Sequence, residues 1–294
     1  MYTGSFTALI TPFTSDGAID ERAFQRFVEW QVTCGSDGVV PAGTTGESAT
    51  LTYDERRRLI HLCVEAVAGQ AVVMAGVGSN STEEAKTLAQ HAEASGADAV
   101  LVVTPYYNKP TDDGLFQHYK AVHDACKIPL FAYTVPGRCG VDLSLSVLKR
   151  LSGLPRFAGI KDATGDLTRP LRTRCALGEN FCQFSGEDGS VIAFLAQGGH
   201  GCISVTANVA PTLCAELHRA WKQGDRNKIG IIRDRLFPVH EALFCETSPG
   251  PVKYAVNLLG YGTDCLRLPL VAASPSARDR VGAALSHAGL LESV

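Results

Sequence analysis

Hydrophobic and polar positions along the chain form a repeated pattern of short apolar runs separated by longer amphipathic stretches. The runs are rich in β-branched residues, and the stretches between them place apolar residues at helical spacing. The runs predict eight strands, over residues 6–13, 38–43, 71–78, 99–107, 128–135, 157–164, 181–188 and 202–208. Strands that are apolar almost throughout are typical of a parallel sheet covered on both faces. The pattern therefore predicts an α/β fold, a (β/α)8 TIM barrel with a C-terminal helical extension.

Beyond residue 210 the pattern indicates helices only. The first of them, over residues 211–224, closes the eighth β/α unit, and three more helical stretches follow it. We therefore predict a barrel over residues 1–224 and a C-terminal helical region over residues 225–294, with no linker between them. An open dinucleotide-binding sheet is the alternative, but the first crossover has no G-x-G-x-x-G motif.

Composition and charge narrow the class of protein. The 294 residues include 27 basic and 30 acidic side chains, for a formal net charge of -3, which argues against a nucleic-acid-binding surface. Charged residues make up 19% of the chain, below the roughly 25% of an average globular domain. This suggests that part of the surface is apolar and covered by a second copy of the chain.

The ten cysteines and the N-terminus indicate a reduced compartment. Cys175 and Cys182 are the closest pair in sequence, so the chain has no C-x-x-C motif for zinc or disulfide exchange. The N-terminus lacks the basic stretch and cleavage site of a signal peptide. Apart from His200, residues 189–215 carry no formal charge, but glycines and polar residues interrupt them and exclude a membrane span. We expect free, mostly buried thiols and a soluble, cytoplasmic protein.

Polar residues follow four of the predicted strands at their C-terminal ends, where the reactive groups of (β/α)8 barrels lie. Lys161 comes directly after the apolar and small residues 157–160, so it belongs to a strand. A lysine there is desolvated, and desolvation favours the neutral amine that attacks a carbonyl. The alternative is a lysine whose stem is buried while its ammonium reaches solvent. The four polar segments are GTTGES (43–48), TPYYN (104–108), YTVPGR (133–138) and GIKDATG (159–165).

Hydroxyl groups and a guanidinium occupy other strand ends. Together, Tyr133, Tyr107 and Thr44 can pass a proton into and out of a closed site, whereas each alone can equally be a core or interface residue. Arg138 lies in a turn that can direct its guanidinium at a substrate carboxylate, with a surface ion pair as the alternative. The loop 43–48 exposes backbone N–H groups that suit a small carboxylate.

The motifs do not indicate a metal or nucleotide site. The eight histidines form no H-E-x-x-H motif and do not cluster with carboxylates, so we expect no metal. The segment 76–81, GVGSNS, lacks the Gly-Lys-Ser/Thr ending of a P-loop. Ser81 and Glu84 have the spacing of a helix capping box, which makes a structural role the first interpretation of Glu84.

Taken together, the motifs resemble a known family over essentially the whole chain. The sequence is similar to the pyruvate-dependent class I aldolase/lyase family and, within it, to the 4-hydroxy-tetrahydrodipicolinate (dihydrodipicolinate) synthases. These are lyases on the path to diaminopimelate and lysine, and they condense pyruvate with L-aspartate 4-semialdehyde. The motifs that carry the resemblance are TGS, GTTGESATL, TPYYNKP, YTVPGR, GIKDATGDLTR, GGHGCISVTANVAP, PVKYA, LRLPL and HAGLL.

The resemblance implies a role for each of four catalytic residues. Lys161 forms the Schiff base with pyruvate. Tyr133 transfers protons during imine formation and condensation, and Thr44 links it to Tyr107. In this family the tyrosine at the position of Tyr107 reaches into the neighbouring subunit's site, so the active unit is at least a dimer.

The resemblance also implies the substrate-binding residues and the partners. Thr45 binds the pyruvate carboxylate, Arg138 binds the carboxylate of the semialdehyde, and Gly186 and Ile203 line the pocket through backbone groups. We expect no cofactor, because the protonated imine between Lys161 and pyruvate is itself the electron sink. The expected assembly is a homotetramer built from dimers, with no nucleic-acid or membrane partner.

The sequence departs from the family pattern at a few positions. Residue 134 is threonine where the family usually has asparagine, and Ser248 and Gly250 stand where asparagine and isoleucine are typical. In some members lysine binds an allosteric site at the dimer interface, where Tyr53 and Arg56 replace two histidines of the sensitive enzymes. The added cation of Arg56 disfavours a dibasic ligand, so we predict weak or absent inhibition by lysine. The other positions that match this site are Ser48, Ala49, Asn80, Glu84 and Tyr106.

Two alternative functions remain at this point. One is a sugar-acid aldolase of the same superfamily, such as N-acetylneuraminate lyase or a 2-keto-3-deoxy-acid aldolase, which shares the lysine and the tyrosine but usually lacks an arginine at position 138. The other is a catalytically silent homologue that binds pyruvate or an amino acid as a regulator. Only Thr134 and the altered segment 248–250 favour the silent homologue.

Overall fold

The structure is a computed structural model and describes residues 2–291. Its eight strands form a closed barrel in which neighbours follow chain order, and the pairings described are parallel. The predicted barrel is therefore confirmed. The strands are β1 (Gly4–Ala8), β2 (Gly38–Val40), β3 (Val72–Gly76), β4 (Ala99–Val103), β5 (Leu130–Thr134), β6 (Phe157–Asp162), β7 (Cys182–Ser185) and β8 (Gly201–Ser204).

Within residues 2–291, helices follow the strands, and four of them come after β8, which confirms the predicted helical extension. A short 3-10 helix, Thr206–Asn208, directly follows β8. The α-helices are α1 (Glu21–Thr33), α2 (Tyr53–Val67), α3 (Thr82–Ala94), α4 (Asp112–Ala125), α5 (Pro136–Cys139), α6 (Leu145–Leu151), α7 (Arg169–Leu177), α8 (Val191–Ala196), α9 (Pro211–Gln223), α10 (Arg226–Ala242), α11 (Gly250–Leu258) and α12 (Pro275–His287).

All eight strands end earlier than their apolar runs predict. The run 6–13 predicts a strand that continues to Phe13, but β1 ends at Ala8. Leu9 and Ile10 are nonetheless buried, with 1% and 0% of their surface exposed. An apolar run indicates burial, and burial continues into the loops after the strands have stopped pairing. The polar residues singled out after these runs consequently lie on loops or at the last strand positions.

The chain divides into two compact units, and the first comprises residues 2–3 and 72–203. Its strands pair in order from β3 to β8, and α3, α4, α6 and α7 pack against one another in sequence. Phe131 of β5 meets Phe184 of β7 edge-on at a ring-centroid distance of 6.1 Å. Adjacent parallel strands with a filled interior place their C-terminal ends side by side.

The second unit comprises residues 4–71 and 204–291. Asn208 joins its two segments, because the Asn208 side chain accepts the N–H of Ile10 at 3.0 Å and donates to the carbonyl of Ala8 at 2.8 Å. Trp30 of α1 stacks on Tyr261 with ring centroids 4.1 Å apart. The helices α10–α12 therefore belong to the same unit as β1 and β2, and the boundary at residue 224 stays a prediction.

Ser81 caps the start of α3. Ser81 does accept the N–H of Glu84, as predicted, but the Ser81 N–H donates to the hydroxyl of Ser79, which itself donates to the Glu84 carboxylate at 2.7 Å. Ser81 therefore caps α3, and Ser79 adds a hydrogen bond to each of the two residues. At the start of α2 a reciprocal capping box forms between Thr52 and Glu55.

The cysteines agree with the prediction of free thiols. Among residues 2–291 the ten cysteines form no disulfide; six are buried, three are partly exposed, and Cys175 is exposed. Burial raises the pKa of several of these thiols, that of Cys182 to about 12. In the part of the chain that the structure describes, no helix has both the length and the apolar character needed to cross a membrane.

Candidate active site

Lys161 and Tyr133 face each other on neighbouring strands. Parallel pairing sets Tyr133 of β5 beside Lys161 of β6, and the Lys161 ammonium lies 4.4 Å from the centroid of the tyrosine ring. Only 6% of the Lys161 surface and 7% of the Tyr133 surface are exposed. The alternative in which the ammonium extends into solvent does not fit this burial. An amine and a phenol thus lie together, withdrawn from solvent, near the C-terminal ends of two strands.

Gly186 leaves room for the Lys161 side chain. A Cβ atom at Gly186 would lie 3.2 Å from Cε of Lys161 and 2.6 Å from Cβ of Ala163. The backbone N–H of Gly186 donates to the carbonyl of Asp162 at 2.7 Å. If a larger residue at position 186 pushed the backbone away from Lys161, this hydrogen bond would be lost. The structure therefore places Gly186 next to Lys161, whose ammonium lies against the ring of Tyr133. Ile203, the other residue expected to line the pocket, is fully buried in β8.

Two acidic residues after β7, Glu187 and Asp188, were not among the predicted site residues. Burial raises the pKa of Glu187, as does repulsion from Asp188, while the positive charge of Lys161 opposes the change. Glu187 is thus close enough to Lys161 for their charges to interact. The rule that singled out Lys161 also applies here, because Glu187 and Asp188 are polar residues that follow a buried strand.

A network of four residues connects the ends of β5 and β6, and we call it the Arg169 network: Thr134, Asp142, Asp162 and Arg169. The Thr134 hydroxyl donates to Asp142 at 2.8 Å. One terminal nitrogen of Arg169 donates to both Asp142 oxygens, at 2.8 and 2.7 Å. Nε of Arg169 lies 3.2 Å from the Asp162 carboxylate. Thr134, which the sequence indicated only as a departure from the family pattern, is thus a hydrogen-bonding member of this network.

The two carboxyl groups of the network differ in their surroundings. Burial would raise the pKa of Asp142, but hydrogen bonds from Arg169 and Thr134 outweigh it and lower the pKa. Burial raises the pKa of Asp162, although the bonds from Thr164 and the charge of Arg169 oppose it. The difference follows exposure, because the Asp142 side chain is 47% exposed and that of Asp162 only 5%. Arg169 thus stabilises the charged form of both groups.

Arg138 and Tyr107 lie on exposed turns of the first unit. Arg138 belongs to α5, a single helical turn that begins with Pro136 directly after β5. Tyr107 has a positive φ of 70° and an exposed fraction of 89%. A tyrosine in the left-handed region is uncommon, and such strain is held in place by its surroundings. The neighbouring Asn108 side chain donates to the carbonyl of Asn80 at 3.0 Å.

Thr44 and Thr45 lie in the second unit, in the tight loop after β2. The N–H of Glu47 donates to the carbonyl of Thr44 at 3.1 Å, and Glu47 itself has a φ of 58°. The Thr11 hydroxyl donates to the carbonyl of Gly46 at 2.7 Å. The loop is therefore held by its own backbone and by β1-side residues. Thr45 is buried, and Thr44 is half-buried.

A buried ion pair lies beneath this loop. The Lys253 ammonium donates to the Glu47 carboxylate at 2.7 Å, and neither side chain is exposed. The N–H of Arg267 donates to the other Glu47 oxygen at 3.1 Å. Burial lowers the pKa of Lys253, while the Glu47 carboxylate opposes that change. Hydrogen bonds from Arg267 lower the pKa of Glu55 from 4.5 to about 2. These contacts connect the Thr44–Thr45 loop to α2 and α11.

The residues expected at an allosteric lysine site occur in both units. In the second unit Arg56 is buried with 4% of its surface exposed, and the guanidinium of Arg57 lies 5.4 Å from the ring centroid of Tyr53. Ser48 and Ala49 precede α2 in the same unit. In the first unit, Glu84 lies in the first turn of α3, and its carboxylate accepts a hydrogen bond from the Ser79 hydroxyl. Asn80 and Tyr106 lie in loops.

Among residues 2–291, no group of three or more His, Cys, Asp and Glu side chains could hold a metal ion.

Comparisons with known proteins agree on one family. Residues 1–288 match the family described as "Dihydrodipicolinate synthetase family". A 4-hydroxy-tetrahydrodipicolinate synthase of Rhodospirillum centenum is 59% identical over 291 residues, which cover 99% of this chain and 100% of that relative.

Solved structures give the same result. The chloride-inhibited dihydrodipicolinate synthase of Acinetobacter baumannii, solved with pyruvate, has a TM-score of 0.96 and 40% identity, and the match covers 99% of this chain and 100% of that one. A monomeric dihydrodipicolinate synthase variant has a TM-score of 0.95 and 40% identity, covering 99% of this chain and 98% of that one. The comparisons favour the predicted synthase, a lyase, over the sugar-acid aldolases and the silent homologue. The chain belongs to the dihydrodipicolinate synthetase family.

Proposed function

We propose that this chain is a lyase that condenses pyruvate with L-aspartate 4-semialdehyde, in the path to diaminopimelate and lysine. The product is (2S,4S)-4-hydroxy-2,3,4,5-tetrahydrodipicolinate, and one water molecule is released overall. The observation that carries the proposal is the buried Lys161 ammonium against the ring of Tyr133 at the ends of β5 and β6. Family membership supports the same reaction.

Lys161 is the proposed nucleophile. Its neutral amine attacks the C2 carbonyl of pyruvate, water leaves, and a protonated imine forms that withdraws electrons from C3. Loss of a C3 proton gives an enamine, whose C3 forms the new carbon–carbon bond with the aldehyde carbon of the semialdehyde. The substrate amine then attacks the imine carbon, which closes the ring and releases Lys161. No other electron sink is required, and we propose that the enzyme uses no metal or organic cofactor.

The remaining site residues are assigned by their chemistry. Tyr133, beside Lys161, is the proposed proton-transfer group, with Thr44 and Tyr107 continuing the chain of hydroxyls. Thr45 is proposed to bind the pyruvate carboxylate, in a loop whose backbone suits an anion. Gly186 and Ile203 are proposed to line the pocket, and the lack of a side chain at Gly186 leaves the Lys161 chain its space.

Turnover with defined substrates tests the proposal. The expected result is product formation from pyruvate and L-aspartate 4-semialdehyde, and none with N-acetylneuraminate or 2-keto-3-deoxy acids under the same conditions. Cleavage of sugar acids alone would favour the sugar-acid aldolase. A protein that forms no borohydride-stable adduct with pyruvate would favour the silent homologue.

Arg138→Ala should separate the two substrates. We expect imine formation with pyruvate to continue, because Lys161 remains, whereas the KM for the semialdehyde should rise by about tenfold or more, since a charge-assisted contact to its carboxylate is lost. The measurement is steady-state kinetics at saturating pyruvate beside borohydride trapping. Unchanged semialdehyde kinetics would remove Arg138 from its assigned role.

The proposed assembly is a dimer-based tetramer in the cytoplasm. The 89% exposed Tyr107, held at a positive φ, supports a role completed by a second copy of the chain. The monomeric variant among the solved structures shows that the family fold also occurs without a partner. Sedimentation of the purified protein measures the assembly directly. The division into a barrel over residues 1–224 and a helical region over residues 225–294 is likewise a proposal.

Inhibition by lysine should be weak or absent. The proposed allosteric positions include Arg56, which adds a cation where lysine-sensitive members have histidine, and a second positive charge disfavours a dibasic ligand. Initial rates at increasing lysine should therefore change little up to millimolar concentrations. Strong inhibition at sub-millimolar lysine would contradict this prediction, and Arg56→His is the variant in which sensitivity should increase.

A further inference from the structure

The Arg169 network has an unbalanced charge. It contains two carboxylates and one guanidinium, and the charge of Asp142 acts on Asp162 to raise its pKa. Arg169 contacts both groups, so its removal would leave two carboxylates in mutual repulsion, one of them almost fully buried. Asp142 is held by the Thr134 hydroxyl and by Arg169, and of these two only Arg169 carries the charge that offsets the repulsion.

Helix stability does not explain this arginine. Arg169 is the first residue of α7, and a positive charge at a helix N-terminus is unfavourable because it opposes the helix dipole. Nε of Arg169 faces Asp162, one terminal nitrogen donates to Asp142, and the other donates to the carbonyl of Leu143. All three nitrogens of the guanidinium are thus used in contacts outside its own helix.

These contacts fix one end of the turn that carries Arg138. At its N-terminal end, the N–H groups of Arg138 and Cys139 donate to the carbonyl of Val135, at 2.9 and 3.0 Å. At its C-terminal end the turn stops at Gly140, which has a φ of 67°. Residues 142 and 143, held by Arg169 and by the Thr134 hydroxyl, follow after one intervening residue, Val141. The N-terminal end of the exposed turn is therefore hydrogen-bonded to Val135, directly after β5, and the residues after its C-terminal end are bonded to the Arg169 network.

Lys161 is held differently. It pairs with Tyr133 on one side and with Phe184 on the other, within the parallel ladder of β5, β6 and β7. Loss of a side-chain contact at the neighbouring Asp162 leaves that ladder in place. The position of Lys161 therefore depends less on Arg169 than the position of the Arg138 turn does.

We propose that Arg169 is a positioning residue that holds the Arg138 turn at a fixed place relative to Lys161, and so controls use of the second substrate. The proposal rests on the function proposed above. Without Arg169 only the Thr134 hydroxyl still holds residues 142 and 143. Because a displacement of about 1 Å can cost about 100-fold in rate, the loosened turn should bind the semialdehyde carboxylate poorly. Imine formation with pyruvate needs Lys161 and not Arg138, so it should be largely spared.

Arg169→Met tests the proposal, with two measurements on each protein. The KM for L-aspartate 4-semialdehyde at saturating pyruvate should rise by about tenfold or more, whereas the rate of borohydride trapping with pyruvate should change by less than about threefold. Arg169→Lys should give an intermediate KM, because lysine keeps the charge but has no planar fork to reach both carboxylates and the carbonyl.

Two further variants make the result decisive. Arg172→Met is the matched control, since Arg172 lies on the same helix and pairs with Asp166 in a contact where its side chain is 67% exposed; both measurements should stay at wild-type values. If Arg169→Met does not fold, the double variant Asp142→Asn/Arg169→Met removes the repulsion between carboxylates and should fold with the same raised KM.

Three outcomes would overturn the proposal. One is a wild-type KM for the semialdehyde in folded Arg169→Met or in the double variant. Another is an equal loss of trapping and of semialdehyde use, which would indicate a structural role only. The third is wild-type protein that forms no adduct with pyruvate; it would contradict the proposed function as well, and is recognised before any variant is measured.

Discussion

Replacing Lys161 by alanine should abolish covalent trapping of pyruvate and lower kcat by about 10⁴-fold or more, the scale seen when a covalent catalytic group is removed. The alanine variant keeps Tyr133 but has no amine to attack the carbonyl, so no imine forms. The measurement is the mass of the protein after treatment with pyruvate and borohydride, together with steady-state turnover. Because Lys161 lies between two paired strands, we expect the variant to fold.

A control identifies the amine as the cause. Lys120 is an exposed lysine of α4, paired with Asp124 at 2.5 Å, and Lys120→Ala should trap pyruvate as the wild type does. Lys161→Arg should fail like Lys161→Ala, because a guanidinium remains protonated and is not a nucleophile. A pyruvate adduct on Lys161→Ala would show that another amine performs the reaction.

Lys253→Met should be the most destabilising of the single substitutions considered, by about 3–5 kcal/mol in the free energy of unfolding. The substitution leaves the Glu47 carboxylate buried without its cation, and neither side chain of the pair is exposed. Chemical denaturation at neutral pH measures the effect. The methionine retains the length of the lysine stem, so the loss reports the charge rather than a cavity.

The double variant Glu47→Gln/Lys253→Met separates the uncompensated charge from lost packing. We expect it to recover part of the stability lost in Lys253→Met, because no isolated charge remains buried. Lys228→Met is the surface control: Lys228 pairs with Glu216 at 3.2 Å with 46% of its side chain exposed, and its loss should cost less than about 1 kcal/mol. Equal effects of Lys253→Met and Lys228→Met would refute the importance of the buried pair.

The order of strands and helices could be predicted because buried segments of the chain are apolar, and this pattern can be seen in the sequence. Runs such as 99–107 are apolar wherever the chain is covered, and the amphipathic stretches between them have helical period. Strand ends could not be predicted in the same way. Pairing in β4 stops at Val103, whereas Pro105 beyond it is still buried and Tyr106 is half-buried. Where pairing stops depends on neighbouring strands, and the apolar pattern of one strand does not contain that information.

The candidate site was predictable only in part. Lys161 stands out because a lysine within a buried strand is rare, and Tyr133 lies at the matching strand end. The partners of Thr134 and Arg169 were not predictable, since their bonds join residues up to 27 positions apart through the placement of loops. The Glu47–Lys253 pair joins positions 206 residues apart. Long-range ion pairs of this kind leave no periodic trace along the chain.

The distribution of the ten cysteines has a practical consequence. Thiolates react with electrophiles and protonated thiols do so slowly, and burial raises the pKa of Cys63, Cys126, Cys139 and Cys182. Cys175 is the exposed member of the set and lies on α7, the helix that begins with Arg169. A maleimide fluorophore should therefore label this chain first at one defined position on the outside of that helix. Such a label would place a reporter on α7 without adding or removing any residue.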